Sequence, residues 1–235
     1  VVDLVGGISE IQTNTIRTVG RAQERFSEDP LRKLRALRFA ARTGSKLEKN
    51  TAEAIISDNS LEGVSSERIR DEFKKSIISA KSPKEYLKMV EYFKLWGVMF
   101  LDITINKTFI DSSSFILQIT ELFKDNDDAT IKKELNKYSF TNLEIDCILF
   151  LKQFLELKPE TAFDLYKKYN VTGVDKRDVL EYAKINRMDL KMVKAFLKYK
   201  PTTKGGDVIK QFSLKGPDVA NKIRQIETQK FKELL

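Results

Sequence analysis

The chain has 235 residues, 41% hydrophobic and 32% charged, with 42 basic against 34 acidic side chains and a net charge of +8. It has no histidine and one cysteine, Cys147. That excludes histidine metal sites, histidine general bases and an internal disulfide framework, and it points to a reducing compartment. The most apolar stretch, CILFLKQFL, is too short to span a bilayer and contains Lys152. The expectation is a cytoplasmic protein with no membrane partner, whose basic excess suits a polyanion.

In chain order, VVDLVGG (residues 1–7) predicts a strand running into a glycine turn, and TIRTVG (15–20) predicts a second short extended piece. Nearly everything after that reads as helix. Apolar residues at helical spacing, such as Ile69, Phe73 and Ile77, predict helices near 30–43, 47–58, 66–79, 83–96, 113–124, 128–138, 142–156, 160–169, 176–185, 189–199, 206–212 and 218–233. Asp29-Pro30 sets Pro at a helix start. Ser82–Glu85 and Thr141–Glu144 carry the Ser/Thr-x-x-Glu capping box, and Gly97 is the expected C-cap after VEYFKLW. The acidic run Asp125–Asp128 reads as a loop and helix N-cap rather than a metal loop. The fold class is therefore all-α and multi-helical, with only a short piece of sheet at the N-terminus.

Charge is unevenly spread. Nine of the twelve arginines lie in the first 70 residues, whereas 27 of the 30 lysines follow them. Arginine offers a rigid, planar fork of donors; lysine is a mobile point charge. The front thus suits geometry-dependent recognition, and the rest suits diffuse attraction to phosphates.

The sharpest feature is SEDPLRKLRALRFAAR, residues 27–42. At 100° per residue, Arg32, Arg35, Arg38 and Arg42 fall within about one third of the helix circumference, beside a core stripe of Leu34, Leu37 and Ala41. Asp29 and Arg32, three apart, share a face at the helix mouth. A carboxylate that accepts beside an arginine that donates matches the amino-donor and ring-nitrogen-acceptor edge of cytosine and adenine. Guanine and uracil oppose a carbonyl oxygen to the acid, and a site built on a hydrogen bond rejects a ligand that cannot make it. The residues alone leave a second reading open. Asp before Pro is a common N-cap, acids are favoured at helix mouths, and helix arginines often form surface ion pairs.

EDPLRKLRALRFAAR resembles the template motif of the tRNA nucleotidyltransferases, the CCA-adding enzymes, of the class shared with bacterial poly(A) polymerases. The resemblance implies that Asp29 and Arg32 read the base of CTP or ATP, that Glu28 buttresses the arginine, and that Arg35 and Arg38 also contact the nucleotide. Further segments are similar to the same family. VVDLVGGISEIQTNTIRTVG, with Asp3, Gly6, Gly7 and Arg17, resembles its head–neck link; VSSERIRDEFKK (64–75) resembles the neck segment supporting the template helix. YFKLWGVMF resembles the helix ending before the body, and PTTKGGDVIKQFSLKGPDVANKI (201–223) resembles the tail. Residues 107–200 carry only helical pattern and lysine.

The resemblance implies four parts: 1–25, the end of the head and its link; 26–106, the neck with the template helix; 107–200, a helical body; and 201–235, the tail. The family's head motifs, a Gly-Ser strand–turn, an Asp-x-Asp metal pair and an Arg-Arg-Asp segment, do not occur here. Gly44-Ser45 follows a helix and reads as its C-cap and turn. The expectation is that this chain holds no catalytic or metal residue and is inactive alone. Mg²⁺ would be bound by a catalytic head on the same gene product or a separate chain. Joined to that head, the chain would select CTP and ATP and bind the tRNA 3′ end and acceptor arm during addition of C, C and A. Two alternatives stand beside this: a poly(A) polymerase or a CC-only or A-only adding enzyme, and a non-catalytic helical RNA-binding protein.

Overall fold

The computed structural model describes residues 2–4 and 6–235. Val1 and Val5, part of the expected first strand, lie outside the described residues. The chain divides into two compact units, Val1–Thr141 and Asn142–Leu235. Among the described residues there are fifteen helices and one pair of two-residue strands, so the chain is mostly α as expected.

The first unit holds α1 (Gly7–Gln12), β1 (Thr15–Ile16), α2 (Ala22–Glu28), α3 (Leu31–Thr43), β2 (Lys46–Leu47), α4 (Lys49–Ser57), α5 (Ser66–Ser79), α6 (Pro83–Tyr92), α7 (Trp96–Met99), α8 (Phe115–Phe123) and α9 (Asp128–Lys137). The second holds α10 (Asn142–Phe154), α11 (Pro159–Thr172), α12 (Lys176–Ile185), α13 (Leu190–Lys198), α14 (Gly205–Phe212) and α15 (Pro217–Lys232).

Three sequence expectations change. No strand occurs among the described residues of 1–7; instead Gly7 opens α1, whose first amides are held by Asp3, with Oδ1 accepting from Gly7 N at 2.9 Å and Oδ2 from Ile8 N at 2.8 Å. The Asp3 carboxylate thus does the work of a cap for otherwise unpaired helix amides. Next, α2 was not foreseen, because only Ala22 and Phe26, four apart, carry its buried face. Finally, the helix expected over 83–96 stops at Tyr92, and Gly97 lies inside the short α7 rather than at a C-cap. The left-handed turn falls on Lys94 (φ 53°), with Leu95 N donating to Val90 O at 3.0 Å. A non-glycine residue adopts that conformation only under tertiary constraint, which the fully buried Val90 and Leu95 supply here.

In the first unit α3 packs against α5 and α6. Its apolar stripe, Leu34, Leu37, Ala40 and Ala41, is buried, and Phe73 of α5 sits in an aromatic cluster with Tyr86, Trp96, Phe100 and Phe115. Gly44 ends α3 in the left-handed region (φ 74°), as a C-cap glycine should. The chain then forms β2, which pairs parallel with β1 in the register Thr15 to Lys46 and Ile16 to Leu47. Asn14 Nδ2 donates to Gly44 O at 3.1 Å, and Thr18 N donates to Thr51 Oγ1 at 3.3 Å. These ties lay residues 14–19 along the exposed flank of α3.

In the second unit α11 packs on α10 and α15. Phe150, Phe154, Tyr166, Tyr169, Phe196, Tyr199 and Phe231 form its aromatic core. At Glu227 of α15, fully buried, the carboxylate accepts from Tyr199 Oη at 2.6 Å and from the backbone amides of Thr202 (3.1 Å) and Thr203 (2.8 Å). It also accepts from the Thr203 hydroxyl and from Lys230 Nζ at 3.2 Å. One side chain thereby fixes the loop entering α14. No helix among the described residues is long and apolar enough to cross a membrane.

Candidate functional site

The α2–α3 junction gathers the acid–arginine residues. Asp29 ends α2 in extended conformation, and Pro30 turns the chain directly into α3. Asp29 Oδ1 accepts from Leu31 N at 3.2 Å, and Asp29 O accepts from Arg32 N at 3.0 Å. Asp29 therefore caps α3, as Asp-Pro predicts.

Glu28 and Arg32 come together. Arg32 Nη1 donates to Glu28 Oε2 at 2.7 Å and to Arg25 O at 3.2 Å. Arg25 reaches the same carboxylate at 2.9 and 3.1 Å, while its Nε donates to Val19 O at 3.0 Å. The Glu28 carboxyl is held below its ordinary pKa by the hydrogen bonds from Arg32 and then Arg25. Arg25 was not singled out from the sequence. Its signal was the i,i+3 spacing to Glu28, legible only once α2 is known to be a helix.

Asp29 and Arg32 are not hydrogen-bonded through their side chains. The Asp29 carboxylate instead meets Arg68 of α5, whose Nη2 lies 3.3 Å from Oδ1 and 3.1 Å from Oδ2. Arg38 is drawn toward α5: its Nε donates to Glu72 Oε1 at 2.5 Å, and its guanidinium lies 4.3 Å from the centre of the Phe39 ring. Arg35 is exposed and has no ion-pair partner among the described residues.

Arg32 and Arg35 border a cleft of about 250 Å³ between α3 and the tied segment 16–18, floored by Ala36 and Phe39. A second hollow of about 330 Å³, lined by Thr18, Val19, Arg25 and Arg32, adjoins it at Thr18 and Arg32. Each is near the lower end of the roughly 300–1,000 Å³ of small-molecule sites. Arginines on one wall and an aromatic ring on its floor suit a phosphorylated, planar ligand.

Lys33, between the site arginines, points the other way. It is fully buried, and its ammonium donates to Asp58 Oδ2 at 2.9 Å and Ser60 O at 2.8 Å. Asp58 is held below the usual carboxylate range, first by Lys33 and then by the Ser60 amide. A buried ammonium needs such partners. The pair pins α3 to the loop after α4, a role its neighbours in LRKLR gave no hint of.

In the second unit Lys191, Lys194 and Lys198 share one exposed face of α13, and Lys200 and Lys204 follow. None of the five has an ion-pair partner among the described residues. That leaves them available to phosphates.

Comparison with known proteins agrees with this architecture. Residues 44–104 match the family described as the probable RNA- and SrmB-binding site of polymerase A. The CCA-adding enzyme of Streptococcus thermophilus is 27% identical over 97% of this chain and 61% of its own length. That of Bacillus velezensis is 44% identical over 38% of this chain and 23% of its own. Among solved structures, the Bacillus stearothermophilus CCA-adding enzyme in complex with CTP superposes with a TM-score of 0.69 at 20% identity, covering 96% of this chain and 63% of that one. The Thermotoga maritima CCA-adding enzyme complexed with tRNA gives 0.63 at 19%, covering 98% and 63%. At such identities the structural likeness is one of fold.

The chain is thus CCA-adding enzyme-like: it is similar to the CCA-adding enzymes in sequence and in fold along nearly its whole length, and its residues 44–104 match the polymerase A family segment. It spans about three fifths of the length of the curated relatives that it matches end to end.

Proposed function

We propose that this chain is the nucleotide-selecting and tRNA-binding part of a CCA-adding tRNA nucleotidyltransferase, acting with a catalytic domain that supplies the phosphoryl-transfer chemistry. The observation that carries the reading is Arg32, held at the cleft wall by Glu28 and Arg25, one turn from the capping carboxylate of Asp29. Asp29 would accept from the exocyclic amino group of cytosine or adenine while Arg32 donates to the ring nitrogen. Uracil and guanine would face the carboxylate with a carbonyl oxygen. Arg35 would meet the phosphates or ribose from the next turn of α3, with Phe39 beneath. With Arg38 committed to Glu72, its contribution would be to hold α3 rather than to touch the nucleotide. Lys191, Lys194, Lys198, Lys200 and Lys204 would attract the phosphates of the tRNA acceptor arm and leave sequence unread.

Nucleotidyl transfer uses two Mg²⁺ ions between the attacking 3′-hydroxyl and the α-phosphate. The described residues bring together no group of three or more acidic or cysteine side chains that could hold one. These residues do not fit the metals. Binding of Mg²⁺ belongs, in this proposal, to the catalytic domain. Exposed apolar side chains are frequent at the start of the chain, with Leu4 at 89% and Ile11 at 82% exposure. They favour a covering partner there, and the catalytic domain is the proposed one.

The test is extension of a tRNA lacking its CCA end, with CTP, ATP and Mg²⁺, by this chain joined to its catalytic domain. Addition of C, C and A in order is expected. Use of ATP alone would favour the poly(A) or A-only reading. Binding of tRNA without any extension would favour a non-catalytic RNA-binding protein.

A further inference from the structure

We propose that Arg68 is a positioning residue for nucleotide selection, acting through Asp29; this rests on the reading of Asp29 and Arg32 as the base-selecting pair. Arg68 and Asp29 are 39 residues apart in sequence, yet Arg68 Nη2 bridges both carboxylate oxygens, at 3.3 and 3.1 Å.

The position of Arg68 gives the first argument. It sits in the first turn of α5, where its backbone N donates to the N-cap oxygen of Ser65. A cation there opposes the helix dipole, whereas neighbouring Glu67 complements it. Arg68 is therefore badly placed for helix stability and well placed for an acid across the groove. Its side chain leans toward the helix N-terminus, as helical side chains do, and this carries the guanidinium to the α2–α3 junction.

The acceptor capacity of Asp29 gives the second. A carboxylate has about four lone-pair sites. The Leu31 amide occupies Oδ1, and Arg68 lies across both oxygens. Oδ2 is left with an acceptor site for one external donor, in a plane that two contacts now fix. Without Arg68 only the Leu31 amide restrains the group, and the last torsion of aspartate is broad. A carboxylate free to turn can pivot away from a carbonyl oxygen, which removes the penalty against uracil. Glu28 performs the matching service for Arg32, so each selecting side chain has its own opposite-charge anchor.

The experiment compares kcat/KM for CTP and UTP in the enzyme formed by this chain and its catalytic domain, for wild type, Arg68→Ala, Arg68→Lys and Asp29→Ala, with thermal midpoints measured in parallel. Arg68→Ala is expected to lower the CTP-over-UTP ratio by about tenfold or more, with the midpoint near wild type because the Arg68 side chain is half exposed. Arg68→Lys is expected to fall between the two, since an ammonium restores the charge on a shorter, more mobile stem than the rigid guanidinium. If Asp29→Ala collapses the ratio while Arg68→Ala leaves it at wild type, the Arg68 inference is wrong and the base-selecting reading stands. Equal slowing of both nucleotides by Arg68→Ala, with the ratio kept, also overturns it. If neither substitution moves the ratio, the reading of Asp29 fails and the role of Arg68 fails with it.

Discussion

Arg38 of α3 and Glu72 of α5 form an ion pair withdrawn from water, with side chains only 14% and 7% exposed. It joins the helix bearing the candidate site to the helix that supports it. Removing one partner strands a charge in the interior, which costs about 3–5 kcal/mol. Glu72→Ala should therefore lower unfolding free energy by that order in a urea titration, whereas Arg38→Met combined with Glu72→Leu should recover most of the loss. Arg35→Ala, at an exposed and unpaired position, should change stability by less than about 0.5 kcal/mol while weakening nucleotide use. A Glu72→Ala loss below 1 kcal/mol would show the pair to be dispensable.

Glu227 makes acid stability measurable. Burial would raise the pKa of its carboxyl, but the hydrogen bonds from Thr203, Tyr199 and Lys230 outweigh burial and lower it from 4.5 to about 2. A carboxyl with a folded pKa below its unfolded one stabilises the fold fully above the unfolded value, and that contribution is lost as pH falls through the folded one. The shift corresponds to about 3 kcal/mol, present above pH 4.5 and declining toward pH 2. Glu227→Gln should remove this part of the acid transition and loosen residues 200–204, as read by hydrogen exchange at Thr202 and Thr203. An unchanged acid profile in Glu227→Gln would contradict it.

The unpaired lysines of α13 predict an electrostatic signature. Each phosphate contact contributes about 0.7–0.9 to the slope of log K against log salt. Replacing Lys191, Lys194 and Lys198 together by alanine should weaken tRNA binding at 50–100 mM salt and flatten that slope by about 2–3. The three side chains are exposed, so the thermal midpoint should hold. A slope equal to wild type would remove this face from the RNA surface.

Much of this was legible in the sequence, for identifiable reasons. Helices with a strong apolar stripe and a chemical cap were placed to within a few residues: α5 begins after Ser65, α6 after Ser82 and α9 after Asp127, each accepting from an amide three residues on. The Glu28–Arg32 pairing is what the family resemblance implies, whereas spacing alone places Asp29 beside Arg32. The misses came from weak local signals overridden by tertiary contacts. In α2 only two buried residues carry the period, and the turn at Lys94 sits on a residue that does not favour it. The resemblance marks 64–75 as a supporting segment, but which of its side chains reach α2 and α3, and that Lys33 pins α3, is not legible because the partners lie 25–39 residues away. Helical spacing could align Arg38 with its neighbours, but only packing decides that Arg38 turns to Glu72.

The central claim is that Asp29 and Arg32 choose the base. The decisive measurement is kcat/KM for CTP, ATP, UTP and GTP on tRNA lacking its CCA end, for the wild-type enzyme carrying this chain and for Asp29→Ala and Arg32→Ala. Base reading by this pair predicts strong preference for CTP and ATP in wild type, and a loss of about 10²-fold or more in that preference in either variant. Variants that are slower but still choose C and A as wild type does would contradict it.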